Sequence, residues 1–369
     1  MTDTRIVPIV MPKWGLSMKE GKVTGWLLED GSKINVGDAI LEVETDKIAG
    51  SVEASDAGVL RRRVGQPDTI YPVKTLLGVI ADPSVPDSEI DAFVSAYVAP
   101  AADEGEEDQG PKYEFADTPS GTMRYAKRGS GDETVLLIHG FGGDLDGWLF
   151  NLDAIGEKAT VYAVDLPGHG QSTKKIDNPS LKTMTKAALD FMDAVGLDKA
   201  HVVGHSMGGA IGMQMALDAP AKVKSLTLIC SAGLGPEISD YVDNFVAAQG
   251  RKDLKPVLEQ LFFDKGLVSR QLVEDVLKYK RLDGVEGALK ALSAALFGGR
   301  TQHDAPGAKI AGKQPPTLIV WGKDDQIIPS AHASKLEGAK VHVFDNAGHM
   351  VFMEKASDVN NLIKSHIAG

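Results

Sequence analysis

The stretch Lys199–Ala219, KAHVVGHSMGGAIGMQMALDA, constrains the fold of this chain more than any other. His201-Val202-Val203 has the branched apolar character of a buried parallel strand, and Ala210–Leu217 reads as a tightly packed helix. Between them, Gly204-His205-Ser206-Met207-Gly208 must turn so sharply that its central residue is strained. Glycine two places before and two places after Ser206 removes side chains that would collide in such a turn. Ser206 is therefore expected above a sheet, at a helix N-terminus whose N–H groups and dipole favour developing negative charge. Gly-x-Ser-x-Gly alone is a weak pattern; its setting between strand and helix makes it a nucleophile elbow. A serine nucleophile also needs a base, an orienting acid and an oxyanion hole, and the rest of the chain must supply them.

Around the elbow, Thr134–Ile138 predicts a buried strand ending in His139-Gly140-Phe141-Gly142-Gly143, and Thr160–Val164 another ending in DLPGHGQS. A helix around Ser180–Val195, then strands at Leu226–Cys230, Thr317–Gly322 and Val341–Phe344, continue the series. Alternation of strands and helices predicts a mostly parallel sheet covered on both faces. Between Gly235 and Ala305 no strand is expected, only helical patterns such as SRQLVEDVLKYKRL and VEGALKALSAALF, so about 235–305 is read as a helical lid.

Residues 113–369 resemble the α/β-hydrolase fold. In that family's pattern WGKDDQIIP supplies the acid, which falls on Asp325, with Pro329 closing the match and Asp324 as the alternative. Asn346-Ala347-Gly348-His349 supplies the base, with Glu354 at the family's usual spacing and Met350 a mild departure. The order Ser206, Asp325, His349 is the one this fold requires. The resemblance implies an oxyanion hole from the N–H groups of Phe141 and Met207. Cys230 reads as a core residue, His169 as structural, and no CxxC or carboxylate cluster points to a metal.

The first eighty residues repeat at a spacing of 37. Gly21-Lys22-Val23 matches Gly58-Val59-Leu60, Val36 matches Val73, Ile40 matches Leu77 and Val43 matches Ile80. Short alternating segments broken by turn residues predict a small all-β barrel or sandwich of two similar four-strand halves. Glu44-Thr45-Asp46-Lys47-Ile48 lies at their junction, a protruding place to present one lysine. About 5–81 this sequence resembles lipoyl domains, through MPKWGLSMKEG, EDGSKINVGDAILEVETDKI and the second-half GVL. The resemblance implies lipoylation of Lys47, and the lack of Met-Lys-Met argues against the related biotinyl domains. Lys74, where the family usually has glycine, and the Gln66-Pro67 turn are departures. Trp14 and Trp26 are expected in the core.

Residues 82–112 form an acidic linker containing Pro and Ala, with nine acids and one base. Within it, Ile90, Phe93, Val94, Tyr97 and Val98 form an amphipathic stripe over 88–98, with Ser88 as an N-cap. That helix could dock on either domain or on a partner, and Ala99–Lys112 is expected to be disordered. The net charge of −12 resides mostly in this segment, so nucleic acid is not an expected partner. One cysteine rules out an internal disulfide, no long apolar run suggests a membrane span, and the chain is expected to be cytoplasmic.

Taken whole, both modules, their order and the HGFGGDLDGWLFN segment resemble the dihydrolipoamide acetyltransferase subunits of acetoin dehydrogenase complexes. That resemblance implies transfer of acetyl from lipoyl-Lys47 to coenzyme A. It also implies a multienzyme complex with a thiamine-diphosphate-dependent acetoin dehydrogenase component, a dihydrolipoamide dehydrogenase and a lipoylating enzyme. The His-x-x-x-Asp-Gly motif of better-known lipoyl acyltransferases is absent. The triad residues by themselves imply only acyl transfer, and a lipoyl-linked thioesterase using water is the alternative.

Overall fold

The computed structural model describes residues 6–12, 18–45, 49–54, 56–99 and 113–369. The chain divides into two compact units, Met1–Pro111 and Lys112–Gly369. The expectations for Lys47, Trp14 and residues 100–112 lie outside the described residues.

Unit one is built from β1 (Ile6–Val10), β2 (Glu20–Trp26), β3 (Lys33–Ile34), β4 (Ala39–Glu44), β5 (Ala49–Glu53), β6 (Gly58–Arg63), β7 (Thr69–Pro72) and β8 (Leu76–Ala81). They form two four-stranded sheets of order β1-β8-β6-β3 and β5-β4-β2-β7. Exchanging the sequence halves, β1 for β5 through β4 for β8, converts one order into the other, so the 37-residue repeat is a repeat of structure. Val23, Ile40, Val43, Leu60, Leu77 and Ile80, all fully or almost fully buried, fill the space between the sheets. Trp26 is half-buried against them and donates from Nε1 to Gly65 O at 2.7 Å. The repeat extends to backbone strain. Gly31 and Gly37 turn at positive φ, and their counterparts Asp68 and Lys74 do so at 60° and 69°. The Lys74 departure therefore places a side chain where glycine costs less.

Helix α1 (Asp87–Ala96) docks on unit one's own sheet. Ile90 is fully buried with Ile6, Leu76, Val79 and Val85, and Phe93, Val94 and Tyr97 pack around it. The stripe finds an apolar surface because β8 is buried on both faces. Arg61 and Arg62 pair with Asp87 and Asp91 at 2.8 and 2.5 Å, and Tyr97 Oη donates to Lys74 O. The expected Ser88 cap is not the helix start. Pro86 takes that place without a side-chain cap, while Arg61 holds Val85 O and Asp87.

Unit two carries one eight-stranded sheet. Its strands are β9 (Tyr113–Thr118), β10 (Gly121–Arg128), β11 (Glu133–Ile138), β12 (Ala159–Val164), β13 (Ala200–His205), β14 (Val223–Ile229), β17 (Thr317–Gly322) and β18 (Lys340–Phe344). A two-stranded hairpin of β15 (Phe297–Gly298) and β16 (Thr301–Gln302) stands apart from it. The sheet order is β18-β17-β14-β13-β11-β12-β10-β9, parallel except at β10–β12 and β9–β10. β9 and β10 were not foreseen in the sequence, because their half-exposed, charged pattern carries little apolar signal. The hairpin also corrects the expectation that 235–305 holds no strand. Gly299 and Arg300 both have positive φ, the two-residue turn that closes antiparallel strands.

Helices α2 (Leu149–Gly156), α3 (Leu181–Ala194), α4 (Met207–Asp218), α9 (Pro306–Ile310), α10 (Val351–Glu354) and α11 (Ala356–Ile367) accompany the sheet. Ser180 caps α3 by accepting from Thr183 N at 3.1 Å. The inserted segment supplies α5 (Tyr241–Ala247), α6 (Arg251–Leu258), α7 (Arg270–Lys280) and α8 (Val285–Leu296). β13 lies between β11 and β14, beside the point where strand order reverses, so its carboxyl end opens on the crevice such sheets use. Among the described residues, no helix is long and apolar enough to cross a membrane.

Candidate active site

β13 ends at His205, and Ser206 follows at φ 51°, ψ −117°, before α4 begins. Backbone hydrogen bonds hold this strain from both sides: Ser206 N donates to Ile229 O at 2.9 Å, and Ser206 O accepts from Gly209 N at 2.9 Å and from Ala232 N at 3.0 Å. A Cβ on Gly204 would stand 2.3 Å from Gly208 O, and one on Gly208 would stand 2.2 Å from Ile138 O. Only glycine fits at either place, which is the physical content of the GHSMG pattern.

Asp325 follows β17 and is held by four donors. Its Oδ1 accepts from Ile327 N at 2.8 Å and Ile328 N at 3.0 Å. Its Oδ2 accepts from Trp321 Nε1 at 3.0 Å and from His349 Nδ1 at 2.8 Å. Asp324, the alternative acid, is exposed and engages the base loop only through its backbone N–H, which donates to Ala347 O. With Nδ1–H donating to the carboxylate, Nε2 is left as the proton acceptor. Trp321 is the residue sequence reasoning passed over. It stands in the WGKDD string, but only the turn of the loop brings its indole onto Asp325.

The loop bearing His349 is fixed from two directions. His205 Nε2 donates to His349 O at 3.0 Å, with ring centroids 4.7 Å apart. Burial, with His349 adding, holds the His205 imidazole well below its ordinary range, so it is neutral. Gly348 N donates to Glu354 at 2.6 Å, and the same carboxylate accepts from Phe263 N and Asp264 N in the inserted segment. Burial raises the Glu354 carboxyl above the usual carboxylate range, and these three N–H groups oppose that shift. The structure thus joins Asp325 to His349 directly and packs His205, the residue before Ser206, against His349. Among the described contacts no hydrogen bond links Ser206 Oγ to His349, a contact that often forms fully only with substrate bound.

The turn after β11 passes against the nucleophile: a Cβ on Gly140 would stand 3.0 Å from Ser206 Cβ. His139 fixes this turn, with Nδ1–H donating to Gly140 O at 2.7 Å and Nε2 accepting from Leu166 N at 3.0 Å. Burial lowers its pKa and keeps the ring neutral. The Phe141 ring meets Phe245 and Phe297 of the inserted segment edge-on, at 6.3 and 5.8 Å. Among the described residues, neither Phe141 N–H nor Met207 N–H has an acceptor within the protein.

Beneath the turn lies a buried ionic network that the sequence did not reveal. Asp165 accepts from Arg124 Nε at 2.5 Å, Leu145 N at 2.8 Å and Gln171 N at 2.8 Å, so one carboxylate ties β10 to both loops. Half-buried Asp144 begins the turn at Leu145–Trp148 by accepting from Asp146 N. Burial, with Asp146 and Asp165 nearby, pushes its carboxyl up to about 7. Cys230 closes β14 at φ 42°, fully buried, and burial beside Asp325 pushes its thiol well above the ordinary range.

In unit one, Glu44 at the end of β4 pairs with Ala49 at the start of β5, and the sequence between them contains Lys47.

Comparison with known proteins bears on both units. A family profile described as "alpha/beta hydrolase fold" matches residues 133–356. Another, described as "Biotin-requiring enzyme", matches residues 7–71. The chain is 55% identical over 366 residues to the dihydrolipoyllysine-residue acetyltransferase component of the acetoin cleaving system of Cupriavidus necator, covering 99% of this chain and 98% of that one. It is 47% identical to the component of the same name from Pseudomonas putida, covering 97% of each. Among solved structures, a meta-cleavage product hydrolase from Pseudomonas fluorescens aligns with TM-score 0.64 at 23% identity, covering 69% of this chain and 97% of that one. At that identity the likeness concerns the fold alone.

Proposed function

Because the chain belongs to the family of dihydrolipoyllysine-residue acetyltransferase components of acetoin cleaving systems, we propose that it moves acetyl from a thioester on Lys47 to the thiol of coenzyme A through Ser206, His349 and Asp325. The observation that carries this reading is the Asp325–His349 hydrogen bond of 2.8 Å, in a chain that also holds a strained serine at the end of β13 and a lipoyl-type unit. The lipoyl attachment fits what is described, since Glu44 and Ala49, which flank Lys47 in the sequence, pair with each other. On Lys47 the lipoyl group supplies a dithiol arm that delivers acetyl as a thioester.

His349 Nε2 takes the proton of Ser206 Oγ as that oxygen attacks the thioester carbonyl. Asp325 Oδ2 holds the imidazole by Nδ1 and stabilises the imidazolium that forms. Phe141 N–H and Met207 N–H donate to the carbonyl oxygen as it gains charge, each lowering the barrier by about 3 kcal/mol. The C–S bond breaks, and His349 returns the proton to the leaving sulfur, which leaves acetyl on Ser206. The coenzyme A thiol then gives its proton to His349 Nε2 and attacks the acyl-serine carbonyl. Ser206 Oγ leaves with that proton, and acetyl-coenzyme A departs.

Water competes with the thiol for acyl-serine, so the site must be dry at this stage. Phe141, Phe245 and Phe297 place three rings together over the oxyanion side, and fully buried Leu254, Val285 and Leu292 line the insertion. The donor side requires the partners expected of an acetoin-cleaving assembly: a thiamine-diphosphate enzyme to load acetyl and a dihydrolipoamide dehydrogenase to reoxidise the arm. Mass spectrometry of a quenched reaction tests the covalent step. With acetylated lipoyl-Lys47 and no coenzyme A, acetyl should accumulate on Ser206. An acetyl group that stays on the arm until coenzyme A is added, without ever reaching Ser206, would reject the acyl-serine and leave His349 to activate coenzyme A directly.

A further inference from the structure

Cys230 takes no part in the proposed transfer, yet it stands at its centre. Its thiol, a carboxylate oxygen of Asp325 and a ring nitrogen of His349 lie within 4.8 Å of one another. The three residues come from the end of β14 and from the loops after β17 and β18, so no sequence spacing marks them as a group. The backbone fixes the thiol: Cys230 N donates to Val320 O at 2.9 Å, and Sγ stands 3.9 Å from Gly348 O in the base loop. Asp325 and His349 are already oriented toward each other at 2.8 Å. A thiol, an imidazole and a carboxylate are the donor types of tetrahedral Zn²⁺ sites, at about 2.3, 2.0 and 2.1 Å from the ion. Those lengths place donors roughly 3.3 to 3.6 Å apart, so side-chain movement of about 1 Å closes the cluster around a cation.

We propose that Cys230, Asp325 and His349 form a three-ligand site for a thiophilic divalent cation of the Zn²⁺ or Cd²⁺ class, and that filling it silences Ser206. On filling, the Cys230 S–H proton leaves to solvent and the sulfur binds the cation, as do Asp325 Oδ2 and the lone pair of His349 Nδ1. The imidazole proton moves from Nδ1 to Nε2. Nε2 then carries a hydrogen and no lone pair, and it cannot take the Ser206 proton. This consequence rests on His349 being the base; binding of the cation does not. The reaction needs no metal in this account, and the site acts as an inhibitory one.

The experiment uses the untagged full chain with its lipoyl group in the disulfide form, because Cys230 is then the one thiol present. Cd²⁺ is titrated while ultraviolet thiolate-to-metal charge-transfer absorption is recorded, and Ser206 reactivity is read as its labelling rate by a fluorophosphonate. The expected result is one Cd²⁺ per chain, a thiolate band, and labelling slowed about tenfold or more and restored by a chelator. Cys230→Ser and Cys230→Ala should lose the band and need about ten- to a hundredfold more Cd²⁺ for the same slowing, with metal-free labelling close to that of the parent. Absence of the band, or equal Cd²⁺ sensitivity in both variants, would overturn the proposal. A band without any labelling of Ser206 would leave the cation site standing and remove the nucleophile reading instead.

Discussion

The two units put function in opposite places. Unit one is two copies of a four-strand pattern, and its candidate residue, Lys47, belongs to the short stretch between β4 and β5. Unit two assembles its candidate site from Ser206, Asp325 and His349, which follow three different strands, and buries Ser206 and His349 almost completely. A carrier needs a side chain that reaches partners, so a short stretch between two paired strands is enough. A serine site needs fixed donors and exclusion of water, which only strand ends, the loops packed on them and the inserted helices can supply together. Damage to unit one should therefore act on delivery or stability, and damage to unit two on chemistry.

The largest expected effect tests that division. Ser206→Ala should abolish acetyl-coenzyme A formation, a loss on the order of 10⁵–10⁶, while loading of acetyl onto the Lys47 arm continues. His349→Ala should be comparably severe and Asp325→Asn less so, by about 10⁴, because triad members act as a unit. If transfer were direct, with serine only a hydrogen-bond donor, Ser206→Ala would lose only about ten- to a thousandfold. Next comes cleavage within residues 100–112. It should yield two folded fragments whose mutual transfer rate becomes proportional to concentration, since a tether supplies roughly millimolar effective concentration. Equal rates before and after cutting at micromolar protein would erase the distinction between delivery and chemistry.

A smaller effect separates the units by stability. Ile90→Ala removes the fully buried anchor of α1 and should cost unit one about 2–4 kcal/mol, with the melting of unit two unchanged. Differential scanning calorimetry would resolve the two transitions. The smallest concerns Asp144 in unit two, whose carboxyl is held up to about 7 by burial and neighbouring acids. A carboxyl raised in the fold favours its protonated form, so its contribution is present below the unfolded value of about 4 and is lost as pH rises to about 7. The melting temperature of unit two should fall across that window relative to Asp144→Asn, which keeps a capping side chain and does not ionise. Parallel curves for the two proteins would remove Asp144 as the cause.

The same contrast explains what was legible in the sequence. The 37-residue repeat could be read residue by residue because each half is a local pattern, and Glu44 and Ala49 bracket the lysine it singled out. The elbow was legible because steric exclusion leaves only glycine at 204 and 208. Strands buried on both faces, β11 through β14 and β17, stood out as apolar runs. The half-exposed hairpin β9–β10 did not, and the two-residue turn at Gly299-Arg300 was hidden among helical patterns. Contacts that depend on loops closing across the fold left no local trace: Trp321 on Asp325, Glu354 joining the base loop to Phe263, and Arg124 buried against Asp165. Cys230 reads as one more apolar position until β14 and β17 set it beside the acid and the base.

The acceptor of the acetyl group separates a transferase from a hydrolase, and one assay measures it. The full chain, with acetyl loaded on its Lys47 lipoyl arm, is mixed with coenzyme A, and acetyl-coenzyme A and free acetate are quantified together over a single turnover. Acetyl-coenzyme A is expected to take nearly all of the label, with little acetate, and neither product is expected with Ser206→Ala. Acetate as the main product at saturating coenzyme A would contradict the transferase reading and make the chain a lipoyl-linked hydrolase.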